Sequence, residues 1–203
     1  MPNEKSKVKY AMLIDLRKCV ACHACTVSCK SENNVPVGYN RTWVQEIEKG
    51  IFPNVSRSPL PRLCNHCENA ACEKVCPVKA TYYTEDGTVQ IDYDKCIGCM
   101  YCIQACPYDA RFINPIRKTA EKCTYCYHRV TKGELPACVS TCIGDARVFG
   151  DINDPNSEIS KIMAKNKVQV LKPEKNTGPK TFYIMPDEKN MRPDFSSIFG
   201  GEE

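Results

Sequence analysis

The apolar positions of this chain fall in short extended segments separated by polar turns. Tyr10 to Ile14 reads as a strand, and Ala11 to Ile14 is its longest clean apolar run. Thr81 to Tyr83 and Thr88 to Asp92 read as a hairpin turned at Glu85, Asp86 and Gly87. Ala110 to Ile113 and Ala146 to Phe149 read as return strands, with short helices between or after the cysteines. From Asp151 onward the composition turns polar, rich in Asn, Lys, Pro and Glu. There Ser157 to Asn166 reads as a short amphipathic helix, and Val168 to Leu171 and Thr181 to Ile184 as extended pieces. The pattern predicts an α+β fold of small units whose interior is mostly not sheet.

A length of 203 residues allows one domain or two small ones. No segment approaches the roughly 20 apolar residues of a membrane helix. The N-terminus, MPNEKSKVKYAML, has neither a twin-arginine pair nor an apolar stretch of signal-peptide length, so no export address is expected in it. The formal charge is +4. That value changes once the cysteines are considered, and it is no signal of nucleic-acid binding.

Sixteen cysteines exceed any packing need. They fall into four groups of four: Cys19, Cys22, Cys25 and Cys29; Cys64, Cys67, Cys72 and Cys76; Cys96, Cys99, Cys102 and Cys106; and Cys123, Cys126, Cys138 and Cys142. Groups one and three have the C-x2-C-x2-C-x3-C spacing of bacterial two-cluster ferredoxins, and Pro107 follows group three. Two-residue gaps let one loop supply three thiolates to a cubane while the fourth cysteine points to a neighbour, and soft thiolate is the ligand such clusters select. Zinc ribbons use two C-x2-C pairs per metal, whereas these cysteines come in threes and fours. A disulfide framework does not require repeated local spacing. Four anionic clusters would also turn the formal charge negative.

An internal repeat supports cluster ligation independently of the count. Cys106 opens CPYDAR and Cys142 opens CIGDAR, so Asp109, Ala110 and Arg111 recur as Asp145, Ala146 and Arg147; Ala80 lies four residues after Cys76. A small residue at that offset lets backbone approach a cubane; the alternative is a simple turn-to-strand alanine. Lys18, Lys95 and Lys122 each precede the first cysteine of a group, where positive charge favours a reduced cluster, unless they are solvated surface lysines. His23 and His66 lie between cysteines but read as hydrogen-bonding or surface residues. His128 and Arg129 are expected to brace the group-four loop, and Tyr101, Tyr108, Tyr125 and Tyr127 to shield clusters. Trp43 is expected to pack the core or meet a partner.

With these groups, HR at 128–129 and TGPKTFYI at 177–184, the chain resembles the four-cluster iron–sulfur subunits of molybdopterin oxidoreductases, especially the polysulfide and thiosulfate reductase branch. The resemblance implies four 4Fe-4S clusters with ligands shared crosswise. Cys19, Cys22, Cys25 and Cys142 would hold the first, Cys123, Cys126, Cys138 and Cys29 the second. Cys64, Cys67, Cys72 and Cys106 would hold the third, Cys96, Cys99, Cys102 and Cys76 the fourth. No 3Fe-4S site is implied, since every ligand position is cysteine. Group four departs from the family in having Ile143, not proline, after Cys142; Lys30 follows group one as is ordinary there.

The resemblance further implies two ferredoxin-like units, one inserted in the other: residues 1–57 and 116–150 outside, 58–115 inside, with 151–203 as an extension wrapping a larger catalytic subunit. The chain would not be an enzyme on its own. It would carry electrons between a molybdopterin catalytic subunit and an integral membrane quinone-binding subunit of a respiratory reductase, binding neither nucleic acid nor the bilayer directly. It would lie peripherally on the membrane, on the extracytoplasmic face if exported with a signal-bearing partner, the cytoplasmic face being the other option. A soluble polyferredoxin-like carrier serving a hydrogenase or other dehydrogenase is the alternative. A zinc-bound interaction module, a third class, would be colourless.

Overall fold

The computed structural model describes residues 8–186. The first residues of the N-terminus read for an export address, and the end of the expected partner-wrapping extension, lie outside the described residues. In chain order the elements are β1 (Tyr10–Asp15), α1 (Ala24–Asn33), β2 (Thr42–Ile51), β3 (Asn54–Leu63), α2 (Ala71–Lys74), β4 (Thr81–Tyr83), β5 (Val89–Ile91), α3 (Tyr101–Gln104), β6 (Arg111–Ile113), β7 (Ala120–Lys122), α4 (Tyr127–Val130), α5 (Ala137–Ser140), β8 (Arg147–Asp151), α6 (Glu158–Lys165), β9 (Val168–Gln169) and β10 (Thr181–Ile184). The strands expected from the pattern are present, and the helices between cysteines are short.

The largest sheet has the order β8, β1, β10, β9. β8 runs antiparallel to β1, with Met12 opposite Phe149, and β10 runs parallel to it, with Met12 opposite Thr181. Both faces of β1 are covered, which explains its uninterrupted apolar run. Ala11 and Leu13 pack with Ile159 and Ile184 on the α6 side, while Met12 and Ile14 join a cluster containing Cys25, Cys123, Cys138 and Tyr125. α6 is capped by Ser157, whose Oγ accepts the Ser160 N–H at 3.2 Å.

Two features differ from the sequence expectation. β2 and β3 form a ten-residue antiparallel hairpin in register from Thr42 opposite Leu63 to Ile51 opposite Asn54. It fills the segment between groups one and two, and the expected division at 57/58 falls inside β3. The second is the C-terminal segment: up to Ile184 it is part of this fold, because β10 lies between β1 and β9 with Thr181, Tyr183 and Ile184 buried. The other two sheets are the small hairpins β4–β5 and β6–β7. Among the described residues no helix is long and apolar enough to cross a membrane.

Candidate functional site

The cysteine loops are shaped by left-handed residues at fixed offsets. Two residues after the first cysteine of each group stand Ala21, His66, Gly98 and Tyr125, with φ of 56°, 43°, 69° and 55°. This turns the C-x2-C gap back on itself, so both sulfurs face one space. Such a conformation costs a non-glycine residue about 1–2 kcal/mol, so tertiary packing holds it in place. Three residues after the last cysteine of groups two, three and four come Lys79, Asp109 and Asp145, again left-handed. They aim the next backbone N–H at sulfur: Ala80 N donates to Cys76 Sγ at 3.2 Å, Ala146 N to Cys142 Sγ at 3.3 Å, and Ala110 N to Cys106. The repeated alanine is therefore the residue whose backbone approaches sulfur. Group one differs, because Cys29 lies within α1. There the Asn33 side-chain amide approaches Cys29 Sγ at 3.6 Å and Cys126 Sγ at 3.7 Å.

The fold gathers cysteines from different groups around common spaces. Cys19, Cys22, Cys25 and Cys142 line one pocket, here pocket A. Cys29, Cys123, Cys126 and Cys138 line pocket B, and all four are buried. Cys64, Cys67, Cys72 and Cys106 line pocket C. Of the remaining four, Cys96 and Cys102 pack together with Ile103, Ile113 and Ala120, and Cys96 Sγ accepts the Ala120 N–H at 3.4 Å. Cys76 follows α2, which packs against α3, the helix carrying Cys102. The crossing arises from helix geometry. Cys25 and Cys29 are four residues apart on α1, one turn and about 6 Å along the axis, so each enters a different pocket.

The walls of these pockets suit an anionic, sulfur-rich group. Burial, reinforced by neighbouring cysteines, pushes the Cys29 and Cys67 thiols up to about 12, and burial pushes Cys72 up to about 11. Four buried thiolates can stay ionised together only when coordinated to cations. In pocket C, Arg111 Nε and Nη2 and the Asn65 amide have no hydrogen-bond partner among the described residues. Unpaired buried donors are costly, and cluster sulfur would satisfy them. Among the described residues no three His, Cys, Asp or Glu side chains converge on a single-ion site. The cysteines ring spaces, as a cluster requires and a lone zinc does not.

The other residues singled out in the sequence divide into core and surface. Of the three lysines, only Lys122 is fully buried. Lys18 is exposed, and Lys95 is a solvated partner of Asp92 at 3.0 Å. Burial pulls the Lys122 ammonium below its usual range, against the pull of Cys64 and Cys123. His23 pairs with Glu46 at 2.9 Å. His66 is wholly buried, stacked on Tyr125 at 3.8 Å, and its Nδ1 accepts the Val89 N–H. His128 and Arg129 bind Glu32 at 2.7 and 3.1 Å, bracing the group-four loop against α1. Tyr108 and Tyr125 are core residues. Tyr101, expected to shield, is 61% exposed because it sits on the outer side of α3. Trp43 is half-buried beneath the Arg62 guanidinium. The sequence reading gave no role to Arg111, Arg147 or Asn33; the D-A-R repeat was the available signal for the two arginines.

A model of the 4Fe-4S dicluster domain matches residues 55–152. A tetrathionate reductase subunit of Salmonella typhimurium is 51% identical over 91% of this chain and 76% of its own length. A polysulfide reductase polypeptide of Wolinella succinogenes is 42% identical over 89% of this chain and 96% of its own length. A putative dimethyl sulfoxide reductase iron–sulfur subunit of Halobacterium salinarum is 42% identical over 91% and 82%. Taken with the thiolate pockets, these likenesses along most of its length mean that the protein belongs to the iron–sulfur subunits of the molybdopterin oxidoreductases, electron-transferring and non-catalytic, with 4Fe-4S clusters as its cofactors.

Proposed function

We propose that this chain conducts electrons along a row of four 4Fe-4S clusters between a membrane quinone-binding subunit and a molybdopterin catalytic subunit of a respiratory reductase acting on a sulfur or oxyanion substrate. The relatives named for tetrathionate, polysulfide, selenate and arsenate reduction support that substrate class. The ligand sets are Cys19, Cys22, Cys25 and Cys142; Cys29, Cys123, Cys126 and Cys138; Cys64, Cys67, Cys72 and Cys106; and Cys76, Cys96, Cys99 and Cys102, the last forming the fourth site, D. The first three follow the pocket linings. The fourth follows by the same crosswise rule, with Cys76 and Cys106 in place of Cys142 and Cys29.

One observation carries the two-ended reading. All four cysteines of pocket B are buried, whereas the ends of the row carry exposed apolar side chains. Val20, Val27 and Ile143 stand near pocket A, where Cys22 is itself exposed, and Ile97, Met100 and Tyr101 stand near the group-three cysteines. Apolar rims around two separated ends suit two docking partners. Bound clusters supply one-electron carriers. The chain's own task is to fix their separation, exclude water with residues such as Tyr125 and Tyr108, and direct N–H groups at sulfur. Assembly with a signal-bearing partner would put the chain on the extracytoplasmic face of the membrane.

Anaerobic purification of the complex from native membranes, with metal analysis and identification of co-purifying chains, tests the proposal. About sixteen iron per chain with molybdenum or tungsten and a multi-span membrane protein is expected. Sixteen iron on a free monomer would favour a soluble carrier, and zinc in place of iron would overturn the cluster reading.

A further inference from the structure

Five cationic side chains are buried to 5% exposure or less, Arg41, Lys180, Arg147, Lys122 and Arg111, and the last three each lie beside cysteines of two successive sites. Arg147 lines pocket A and directs Nη1 to Cys138 Sγ of pocket B at 3.7 Å, with Nη2 anchored on Thr42 Oγ1 at 3.0 Å. Lys122 donates from Nζ to the carbonyl of Cys123, a pocket B residue, at 2.7 Å, and to the carbonyl of Val89, in the wall of pocket C. Arg111 lines pocket C, is anchored on Thr81 Oγ1 at 3.1 Å, and is electrostatically coupled to Cys64 and Cys72 of pocket C and to Cys102 of the group-three cysteines. Among the described residues no carboxylate pairs with any of these three. Arg41, by contrast, is also buried but is neutralised by Glu121.

We propose that Arg147, Lys122 and Arg111 are positioning cations, one at each junction of the row, that stabilise an added electron on either flanking centre and so keep successive steps close in potential. The proposal rests on the four-cluster reading. Adjacent clusters are like-charged, and reducing one makes it harder to reduce the next. A fixed cation between two clusters offsets that repulsion in both directions, and in the low-dielectric interior it is little screened by salt. Because each cation is shared, the consequence is pairwise: removing one charge must disturb two adjacent clusters and spare the other two.

The test is an EPR-monitored redox titration of the purified complex carrying Arg147→Met, Lys122→Met or Arg111→Met, with iron counted in each. Each variant is expected to lower two of the four reduction waves at least tenfold in equilibrium constant, about 59 mV for a one-electron couple. Arg147→Met and Lys122→Met should share one shifted wave, and Lys122→Met and Arg111→Met should share another. Arg147→Lys, Lys122→Arg and Arg111→Lys keep the charge and should leave the waves in place. Where a methionine variant loses clusters, the glutamine variant at the same position is titrated instead. A shift of all four waves, of none, or of a non-adjacent pair would overturn the proposal. So would a charge-keeping variant that moves the waves as far as the neutral one. A wild-type complex with fewer than four clusters would instead overturn the reading on which it rests.

Discussion

Replacing Arg41 by methionine isolates one buried ion pair that ties the segment after group one to the strand before group four. Arg41 Nε donates to Glu121 Oε1 at 2.7 Å, and the two side chains are 6% and 1% exposed. Arg41 Nη1 also donates to Asn33 Oδ1 at 2.8 Å, and Asn33 is the amide that approaches Cys29 and Cys126. Methionine matches the length of the stem but leaves Glu121 buried with, among the described residues, only Asn114 as a donor. Removing one partner of such a pair costs about 3–5 kcal/mol, which corresponds to about 10²- to 10³-fold or more in an equilibrium constant. Because loss of a cofactor makes unfolding irreversible, the assay is kinetic: the rate at which visible cluster absorbance disappears in guanidinium under anaerobic conditions. The expected result is bleaching about 10²- to 10³-fold faster for Arg41→Met, the upper range applying if the pair breaks before the transition state. Arg41→Met with Glu121→Gln should recover most of the loss, since the double variant leaves no unpaired charge. A single variant within threefold of wild type, or a double variant as fast as the single, would refute the claim that an uncompensated carboxylate sets the cost.

Three further outcomes are expected. Gly98→Ala would place a Cβ 2.4 Å from the Lys118 carbonyl at a φ of +69°, and should cost the Cys96 cluster, lowering iron by about a quarter if four clusters are bound; Gly133→Ala, with φ +79° but open space, should keep its iron. Truncation before Thr181 should prevent cluster assembly, whereas truncation after residue 186 should leave iron content unchanged, because the buried side chains of β10 are worth about 1.5–3 kcal/mol each for the larger ones. Burial would raise the Asp15 carboxyl, but bonds from Arg17 outweigh it and hold the group below the usual range. That contribution is complete above the unfolded value, about 3.9, and is lost as pH falls through the folded one. The thermal midpoint of Asp15→Asn should therefore lose less than that of wild type when pH is lowered from about 5 to 3.

The sequence was most informative where local chemistry decides the conformation. The hairpin at Glu85 to Gly87, the strand at Tyr10 and the strands after the D-A-R repeats each depend on a turn residue or a short apolar run beside a fixed cysteine. Spacing alone did not show which groups share a space, whereas pockets A, B and C are each lined by cysteines of two groups. The β2–β3 hairpin was hidden because Pro59 and Pro61 argue against a strand. The structure shows why proline fits: the Pro61 carbonyl accepts from the Tyr183 hydroxyl at 2.9 Å, so its backbone polar groups face away from β2, where a missing N–H costs no ladder bond. Lys18, Lys95 and Lys122 occupy the same place relative to a cysteine, yet only Lys122 is buried. It lies in β7 under the contact between groups two and four, a long-range packing that no spacing rule contains.

The parallel pairing of β10 was equally hidden, and it changes what the polar C-terminal segment does. Within residues 177–184 the backbone binds both halves of the molecule. Glu68 N and Asn69 N donate to Gly178 O and Thr177 O at 2.8 and 2.9 Å, and Lys180 N donates to Asn65 O, all in the group-two loop. Met12 N and Leu16 N donate to Lys180 O and Ile184 O at 3.0 Å, on the strand that leads into group one. The Tyr108 hydroxyl bonds Thr177, and Tyr125 reaches the Lys180 carbonyl, so the segment also fastens the aromatic residues beside pockets C and B. It is therefore a staple across the junction between the two sets of cysteines. Tunnelling falls off steeply with separation; α1 ties pocket A to pocket B through Cys25 and Cys29, whereas among the described residues no helix carries a cysteine of pocket B together with one of pocket C. In the proposed row of clusters, a segment that fixes the separation of pockets B and C would serve electron transfer directly, and weakening it should slow transfer before it releases iron.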